Sequence, residues 1–111
     1  MENLEHFKEE KLTTTDLKYF SIHQLEALSE VIRQELIEAT STYGGHLSSN
    51  LGVVELTIAI HRSFSLPQDR LLFDVGHQAY VHKLLTGRSL SGLRTANGTS
   101  GYQKFDESPF D

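Results

Sequence analysis

The clearest periodic pattern in the chain runs from Ser21 to Gly44. Apolar side chains recur there at steps of three and four residues, the spacing of one face of an α-helix, at Leu25, Leu28, Ile32, Leu36, Ala39 and Tyr43. Ser21 and Gln24 have the spacing of a capping box, in which each side chain bonds the backbone N–H of the other. Gly44 tolerates the left-handed conformation that ends many helices. The pattern therefore predicts a helix between Ser21 and Gly44.

Three shorter elements are predicted further along the chain. The segment Val53–Phe64 is rich in β-branched residues, which favour a strand, but its length favours a buried helix. We predict a helix there that ends before Pro67. The short apolar run Leu71–Val75 predicts a buried strand. A further helix is predicted over Gln78–Leu85, and Gly87 would end it.

The two ends of the chain lack such patterns. Residues 1–16 are charged and aperiodic, which predicts a loose leader, with Thr13–Asp16 able to cap a short helical turn through Leu17–Phe20. After Gly87, small polar residues and glycine indicate a loop that is long for a compact domain. The single predicted strand cannot form a sheet by itself. We therefore expect residues 17–111 to be an incomplete part of a larger α/β domain, mostly helical in this part.

Composition and charge narrow the possible classes of function. The formal net charge is −5, so no basic surface is expected that would attract nucleic acid. The absence of cysteine excludes disulfides and thiolate metal sites, and it fits a reducing compartment such as the cytoplasm. No apolar run is long enough for a membrane span, and the first residues lack the features of a secretory signal.

Two Gly-His pairs are the main candidates for chemistry. Gly45–His46 lies in a loop with free N–H groups, hydroxyls and an imidazole, which could bind an anion or transfer a proton. Gly76–His77 follows the predicted strand, a place where ligands collect in α/β proteins. Structural roles are the alternatives: His46 could satisfy a backbone carbonyl, and His77 could be half-buried packing. The open question is whether the two pairs converge on one ligand.

Other polar residues are expected to have structural or surface roles. Glu55 is either a buried acid with a shifted pKa or a carboxylate satisfied by a partner, and we favour the second interpretation. Arg88 and Arg94 could contact a substrate phosphate, but solvated surface positions are expected for both. The histidines and carboxylates lack metal-binding spacing, so no metal site is predicted from this chain alone.

Two long motifs resemble one enzyme family. The motifs Gly44–Thr57 and Asp74–Tyr80, in this order, resemble the N-terminal part of the 1-deoxy-D-xylulose-5-phosphate synthases. The segments Ile32–Ile37 and Lys83–Arg88 are also similar to that family. The similarity extends from about Leu17 to the last residue.

The resemblance implies a thiamine-diphosphate-dependent transferase of the transketolase superfamily, with a parallel-sheet diphosphate-binding domain. Such a synthase condenses pyruvate and glyceraldehyde 3-phosphate to 1-deoxy-D-xylulose 5-phosphate with loss of CO₂, in the biosynthesis of isoprenoids, thiamine and pyridoxal phosphate. His77 and Ser49 would contact the cofactor diphosphate, and His46 would assist proton transfer near the reacting carbon. The full-length enzyme would be a cytoplasmic homodimer.

The resemblance also indicates what this chain lacks. Family members are several times longer, and their Mg²⁺ ligands lie beyond the position that corresponds to Asp111. Gln103, Phe105 and Val81 stand where the family usually has proline, arginine and proline. We therefore expect the chain alone to be inactive and to have no useful cofactor affinity. The alternative is a truncated, non-catalytic fragment or a small subunit without independent activity.

Overall fold

The regular structure is entirely helical in the part of the chain that the computed structural model describes, residues 16–111. The α-helices are α1 (Ile22–Tyr43), α2 (Leu47–Leu51), α3 (Val54–Ser63) and α4 (Tyr80–Leu85). Short 3₁₀ turns span Asp16–Tyr19, Gly76–Gln78 and Phe105–Glu107. The mostly helical character predicted for this segment is confirmed. The predicted leader lies outside the described residues, apart from its last position.

The helix α1 begins and ends as its sequence predicts. The N–H of Gln24 donates to Ser21 Oγ at 3.1 Å, and the N–H of Ser21 donates to Gln24 Oε1 at 2.8 Å, so both bonds of the capping box form. At the other end, the N–H of Gly44 donates to Thr40 O at 2.9 Å, and its φ of +80° is one that glycine adopts readily. The predicted helix bounds are confirmed.

The first 3₁₀ turn, Asp16–Tyr19, is attached to the end of α3. The ammonium of Lys18 donates to the carbonyls of His61, Arg62 and Phe64 at 3.1, 2.7 and 2.7 Å. Carbonyls at a helix C-terminus lack partners within the helix, and a cation there is favourable. The predicted helical turn is therefore present, whereas its proposed cap lies largely outside the described residues.

The strand predicted over Leu71–Val75 does not form, and residues 16–111 contain no strand. This prediction is wrong because an extended segment becomes a strand only when a neighbouring backbone forms hydrogen bonds with it. Here a side chain forms those hydrogen bonds instead. Gln103 Nε2 donates to Leu71 O at 2.6 Å, and the N–H of Phe73 donates to Gln103 Oε1 at 3.0 Å. The carboxamide thereby satisfies the carbonyl and the N–H that a neighbouring strand would bond.

The segment between α1 and α4 differs from its prediction in two further details. The loop after Gly44 contains the short helix α2, which its polar sequence, without an apolar period, did not indicate. The helix predicted from Gln78 begins at Tyr80 and follows a 3₁₀ turn. The helix prediction for the ambiguous segment Val53–Phe64 is confirmed by α3. No helix within residues 16–111 combines the length and the apolar character that a membrane crossing requires.

The core lies where α1, α3 and α4 pack together, with α4 at its centre. All six residues of α4 are buried, including His82 and Lys83. The neighbouring helices and the loop after α4 supply the apolar side chains around it: Leu28, Ile32, Leu36, Val54, Ile58, Leu90 and Leu93. Because a buried ionisable group is costly unless it has a partner, His82 and Lys83 require polar groups from outside the helix.

His82 is part of a buried hydrogen-bond chain. Its Nδ1 lies 2.9 Å from Nε2 of His61 on α3, and its Nε2 lies 3.1 Å from Oδ1 of Asp111. Burial lowers the pKa of His61 to about 3 and also lowers the pKa of His82. Burial opposes ionisation of Asp111, but the hydrogen bonds from Arg88 and from the N–H of Lys104, together with nearby positive charge, outweigh it and lower that pKa to about 2. At neutral pH the two imidazoles are therefore uncharged and the carboxylate is ionised.

Lys83 is satisfied by an ion-pair network at the end of the chain. Its ammonium donates to Glu107 Oε1, and Arg88 donates to the same oxygen at 2.8 Å. Arg88 also makes a two-pronged contact with Asp111 at 2.7 and 2.8 Å. The expectation that Arg88 lies at a solvated surface is wrong, since its side chain is only 12% exposed. This network fixes the C-terminal segment against α4.

We predict that mild acid destabilises the fold. The pKa of His61 falls from 6.5 to about 3 on folding, so below pH 6.5 the unfolded chain binds a proton that the folded chain does not. Stability is therefore lost as the pH falls from 6.5 towards 3. His61 alone should lower the free energy of unfolding by about 2 kcal/mol between pH 8 and pH 5, at about 1.4 kcal/mol per pH unit.

Urea unfolding measured at several pH values between 8 and 5 tests this prediction. The control is His23→Ala, because the His23 side chain is 86% exposed and the variant should keep the pH dependence of the parent. An unfolding free energy that stays constant over this range would contradict the burial of His61.

Candidate functional site

The two Gly-His pairs, distant in sequence, meet in the fold. The imidazole rings of His46 and His77 are stacked, with their centroids 4.0 Å apart and an interplanar angle of 28°. His46 immediately precedes α2, and His77 lies in the 3₁₀ turn before α4. Contact between these two elements brings the rings together. The two Gly-His pairs, whose convergence the sequence leaves open, therefore lie together in the fold.

Asn50, which is fully buried on α2, connects the two pairs. Its Nδ2 donates to the backbone carbonyl of His46 at 2.6 Å and to that of His77 at 2.8 Å. Its Oδ1 accepts the N–H of Tyr80, the first residue of α4, at 3.0 Å. The sequence indicates no role for Asn50, because an amide in a polar loop gives no signal of such distant partners.

Tyr80 supports His46 from the core side. The N–H of His46 donates to Tyr80 Oη at 3.2 Å. Gly45 allows this close approach: its φ is +122°, and a Cβ at this position would lie 2.7 Å from Tyr80 Oη. Glycine alone accommodates both the backbone conformation and the contact. The glycine of the first Gly-His pair therefore determines how closely His46 approaches α4.

A cavity of about 390 Å³ lies beside His46 and is lined by Tyr80, Arg94 and Lys104 together with small residues of the loop after α4. Neither Arg94 nor Lys104 pairs with a carboxylate among residues 16–111, so both cations are available to a ligand. Arg94 is exposed, as expected, but it lines this cavity and adopts a φ of +67°, uncommon for a residue other than glycine. The arrangement suits an anionic ligand.

Ser49 lies on α2, next to Asn50. Its backbone carbonyl accepts a hydrogen bond from Gln78 Nε2 at 3.2 Å, which adds a second connection between α2 and the Gly76–Gln78 turn. The three residues proposed from sequence, His46, Ser49 and His77, are therefore carried by two adjoining elements.

Glu55 does not belong to the site. Its carboxylate makes a two-pronged ion pair with Arg33 at 2.7 Å for both contacts, and its side chain is 64% exposed. The hydrogen bond from Arg33 lowers the pKa of Glu55. The favoured interpretation, a carboxylate satisfied by a partner, is confirmed. Within the described residues, no group of three or more His, Asp or Glu side chains could hold a metal ion.

Comparison with known sequences identifies the family. The sequence model of the 1-deoxy-D-xylulose-5-phosphate synthases matches residues 9–111. The chain belongs to this family. It is 56% identical over 98 residues to the 1-deoxy-D-xylulose-5-phosphate synthase of Treponema pallidum subsp. pallidum. It is 55% identical over 98 residues to the Thermus thermophilus enzyme and over 103 residues to the Chlamydia pneumoniae enzyme.

The chain is much shorter than these synthases. The matches cover 86%, 86% and 90% of the chain but only 16% of each relative. Both Gly-His pairs fall within the residues that the family model matches. The residues that the family model matches therefore include the two stacked histidines and the residues that line the cavity.

We predict that Gly45→Ala destabilises the fold more than Gly87→Ala. Both glycines have a positive φ, +122° and +86°, so each alanine incurs a backbone cost of about 1 kcal/mol. A Cβ at position 87 meets nothing within 4 Å, whereas a Cβ at position 45 meets Tyr80 Oη. Overpacking should add about 1–3 kcal/mol at position 45, measured by urea unfolding.

Tyr80→Phe provides the second half of this experiment. It removes the atom that a new Cβ at position 45 would meet, so it should recover part of the extra cost of Gly45→Ala. Equal destabilisation by the two glycine variants would contradict the close approach of Gly45 to Tyr80.

Proposed function

We propose that this chain is the N-terminal segment of a 1-deoxy-D-xylulose-5-phosphate synthase and forms one wall of its cofactor site. The synthase would join pyruvate and glyceraldehyde 3-phosphate to give 1-deoxy-D-xylulose 5-phosphate and CO₂. The observation that carries the proposal is the stacked pair His46 and His77, in which His46 lines a cavity together with Arg94 and Lys104. One imidazole and two cations at one opening, with a second imidazole in contact with the first, suit a phosphorylated ligand.

Thiamine diphosphate fits the donors on this wall. In the proposal, His77 and the hydroxyl of Ser49 bind and orient the diphosphate through hydrogen bonds to its oxygens. When bound, this cofactor supplies the electron sink that decarboxylation of a 2-oxo acid requires. His46 holds or transfers a proton at a ring nitrogen, a role that suits imidazole near neutral pH. Asn50 and Tyr80 hold the backbone of His46 in place.

Magnesium is assigned to the remainder of the synthase. The described residues offer no cluster of metal ligands, so we assign none of them to Mg²⁺. A diphosphate binds tightly together with its metal. We therefore propose that the isolated chain neither binds the cofactor usefully nor turns over. A parallel sheet, a homodimeric assembly and a cytoplasmic location belong to the same proposal for the complete enzyme.

A non-catalytic role is the second candidate. Gln103 favours it, because its side chain bonds the backbone of Leu71 and Phe73, where a neighbouring strand of a larger sheet would bond. Sequencing of the adjacent DNA separates the two candidates. A reading frame that continues into the metal-binding motif supports the synthase, and a stop codon after Asp111 supports the non-catalytic role.

A chimera tests the proposed residue roles. Residues 17–111 replace the matching segment of the Treponema pallidum synthase, which supplies the rest of the enzyme. In this chimera His77→Ala should raise the thiamine diphosphate concentration for half-maximal activity by about tenfold or more, since a charge-assisted hydrogen bond is lost. His46→Ala should mainly lower kcat, by about 10²–10⁴-fold, the usual contribution of a proton-transferring group.

The control in the chimera is His23→Ala, on the exposed side of α1, which should leave both parameters unchanged. Normal kinetics in both site variants would contradict the residue roles. A chimera without activity, despite intact His46 and His77, would favour the non-catalytic candidate.

A further inference from the structure

We propose that Asn50 is a positioning residue that sets the relative placement of His46 and His77, acting through their backbone carbonyls. As a statement about geometry the proposal stands on the hydrogen bonds of this chain. As a statement about catalysis it rests on the proposed function. Each of the two parts has its own test.

The bonds of Asn50 reach three separate parts of the chain. Its partners are His46, His77 and Tyr80, which lie 4, 27 and 30 residues away in sequence. The side chain is fully buried, so water does not replace a bond that is lost. One amide therefore joins the residue before α2, the turn before α4 and the first residue of α4.

The chemistry of these partners fixes the orientation of the amide. Two partners are carbonyl oxygens, which require the NH₂ group, and the third is an N–H, which requires the carbonyl oxygen. A rotation of the amide by 180° would place an oxygen against two oxygens. Aspartate has the same shape but no donor, and leucine has neither donor nor acceptor. Asparagine is the residue of this size that satisfies all three partners.

Asn50 also closes a ring of hydrogen bonds around His46. Asn50 donates to the carbonyl of His46, the N–H of His46 donates to Tyr80 Oη, and the N–H of Tyr80 donates back to Asn50. The backbone of His46 is thus held at both its donor and its acceptor. His77 is attached to the same ring through its carbonyl.

This ring determines where the imidazoles lie. His46 is exposed and His77 is half-buried, so core packing alone does not hold the rings together. Both carbonyls bond the same nitrogen of Asn50, at 2.6 and 2.8 Å, which limits how far the two backbones can separate. The 4.0 Å ring stack follows from this clamp on the backbone.

Asn50→Asp in the 111-residue chain tests the geometric part. The substitution keeps the shape but places a carboxylate oxygen against two carbonyl oxygens. We expect the nuclear Overhauser contact between the ring protons of His46 and His77 to be lost. The contact between the buried rings of His61 and His82 reports on the fold and should persist. Asn97→Asp, the same change in an exposed loop, is the matched control and should keep both contacts.

A second variant, Asn50→Ser, is smaller and carries no charge. It therefore tests the same bonds without the destabilisation that a buried carboxylate could cause. Loss of the His46–His77 contact in every variant that retains the His61–His82 contact supports the proposal. A retained His46–His77 contact in a folded variant overturns it. Unfolding of both variants also overturns it, because Asn50 would then serve the whole fold and not the site.

The catalytic part is tested by coupling in the same chimera with the Treponema pallidum synthase. Asn50→Ser should lower kcat by about tenfold or more when His46 is present, and should have little further effect in a His46→Ala background. Equal effects in both backgrounds would show that Asn50 does not act through His46. If the ring contact depends on Asn50 but no histidine variant alters the kinetics, the geometric inference stands and the proposed function fails.

Discussion

Helix α4 has no exposed face, so its buried His82 and Lys83 side chains can be stabilised only by groups from other parts of the chain. Asp111 and Glu107 supply those groups from positions after the helix, and His61 supplies another from α3. Arg88 pairs with both carboxylates. This requirement explains why a segment with loop-like sequence has a defined path. It also positions the site, because the same segment carries Arg94 and Lys104 to the cavity beside His46.

The candidate site is organised through backbone contacts more than through contacts of the functional side chains. The imidazoles of His46 and His77 are accessible, while the residues that hold them, Asn50 and Tyr80, are fully buried. The imidazoles can therefore contact a ligand at the surface, while buried residues fix their positions. Such a division fits a cofactor wall, in which reactive groups must remain reachable while their geometry is fixed.

The parts of the fold that the sequence predicted are those determined by local interactions. The capping box at Ser21 and the apolar stripe of α1 involve neighbours within a few residues, and both are present. The strand over Leu71–Val75 failed because strand formation depends on a distant partner, and Gln103 occupies that place. The prediction that Arg88 lies at the surface is wrong for the same reason, since its carboxylate partners lie about twenty residues away in sequence.

For the site, the residue types of the two Gly-His pairs indicated candidate chemistry, and the family resemblance indicated which ligand to consider. The role of Asn50 could not be predicted from sequence. Its three partners are backbone groups, and a backbone carbonyl or N–H has no residue identity that a sequence pattern could reveal.

The contact between His61 and His82 has one further consequence. Among residues 16–111, Nε2 of His82 faces only oxygens, Asp111 Oδ1 and Phe110 O, so it must carry the hydrogen. Nδ1 of this neutral imidazole is then a bare acceptor, and the hydrogen between the rings belongs to His61 Nε2. Both rings are therefore fixed as Nε2–H tautomers, and the donors run in one direction, from α3 through α4 to the final carboxylate. The acceptor oxygens of Phe110 and Asp111 thus determine which nitrogen carries the hydrogen in both buried imidazoles.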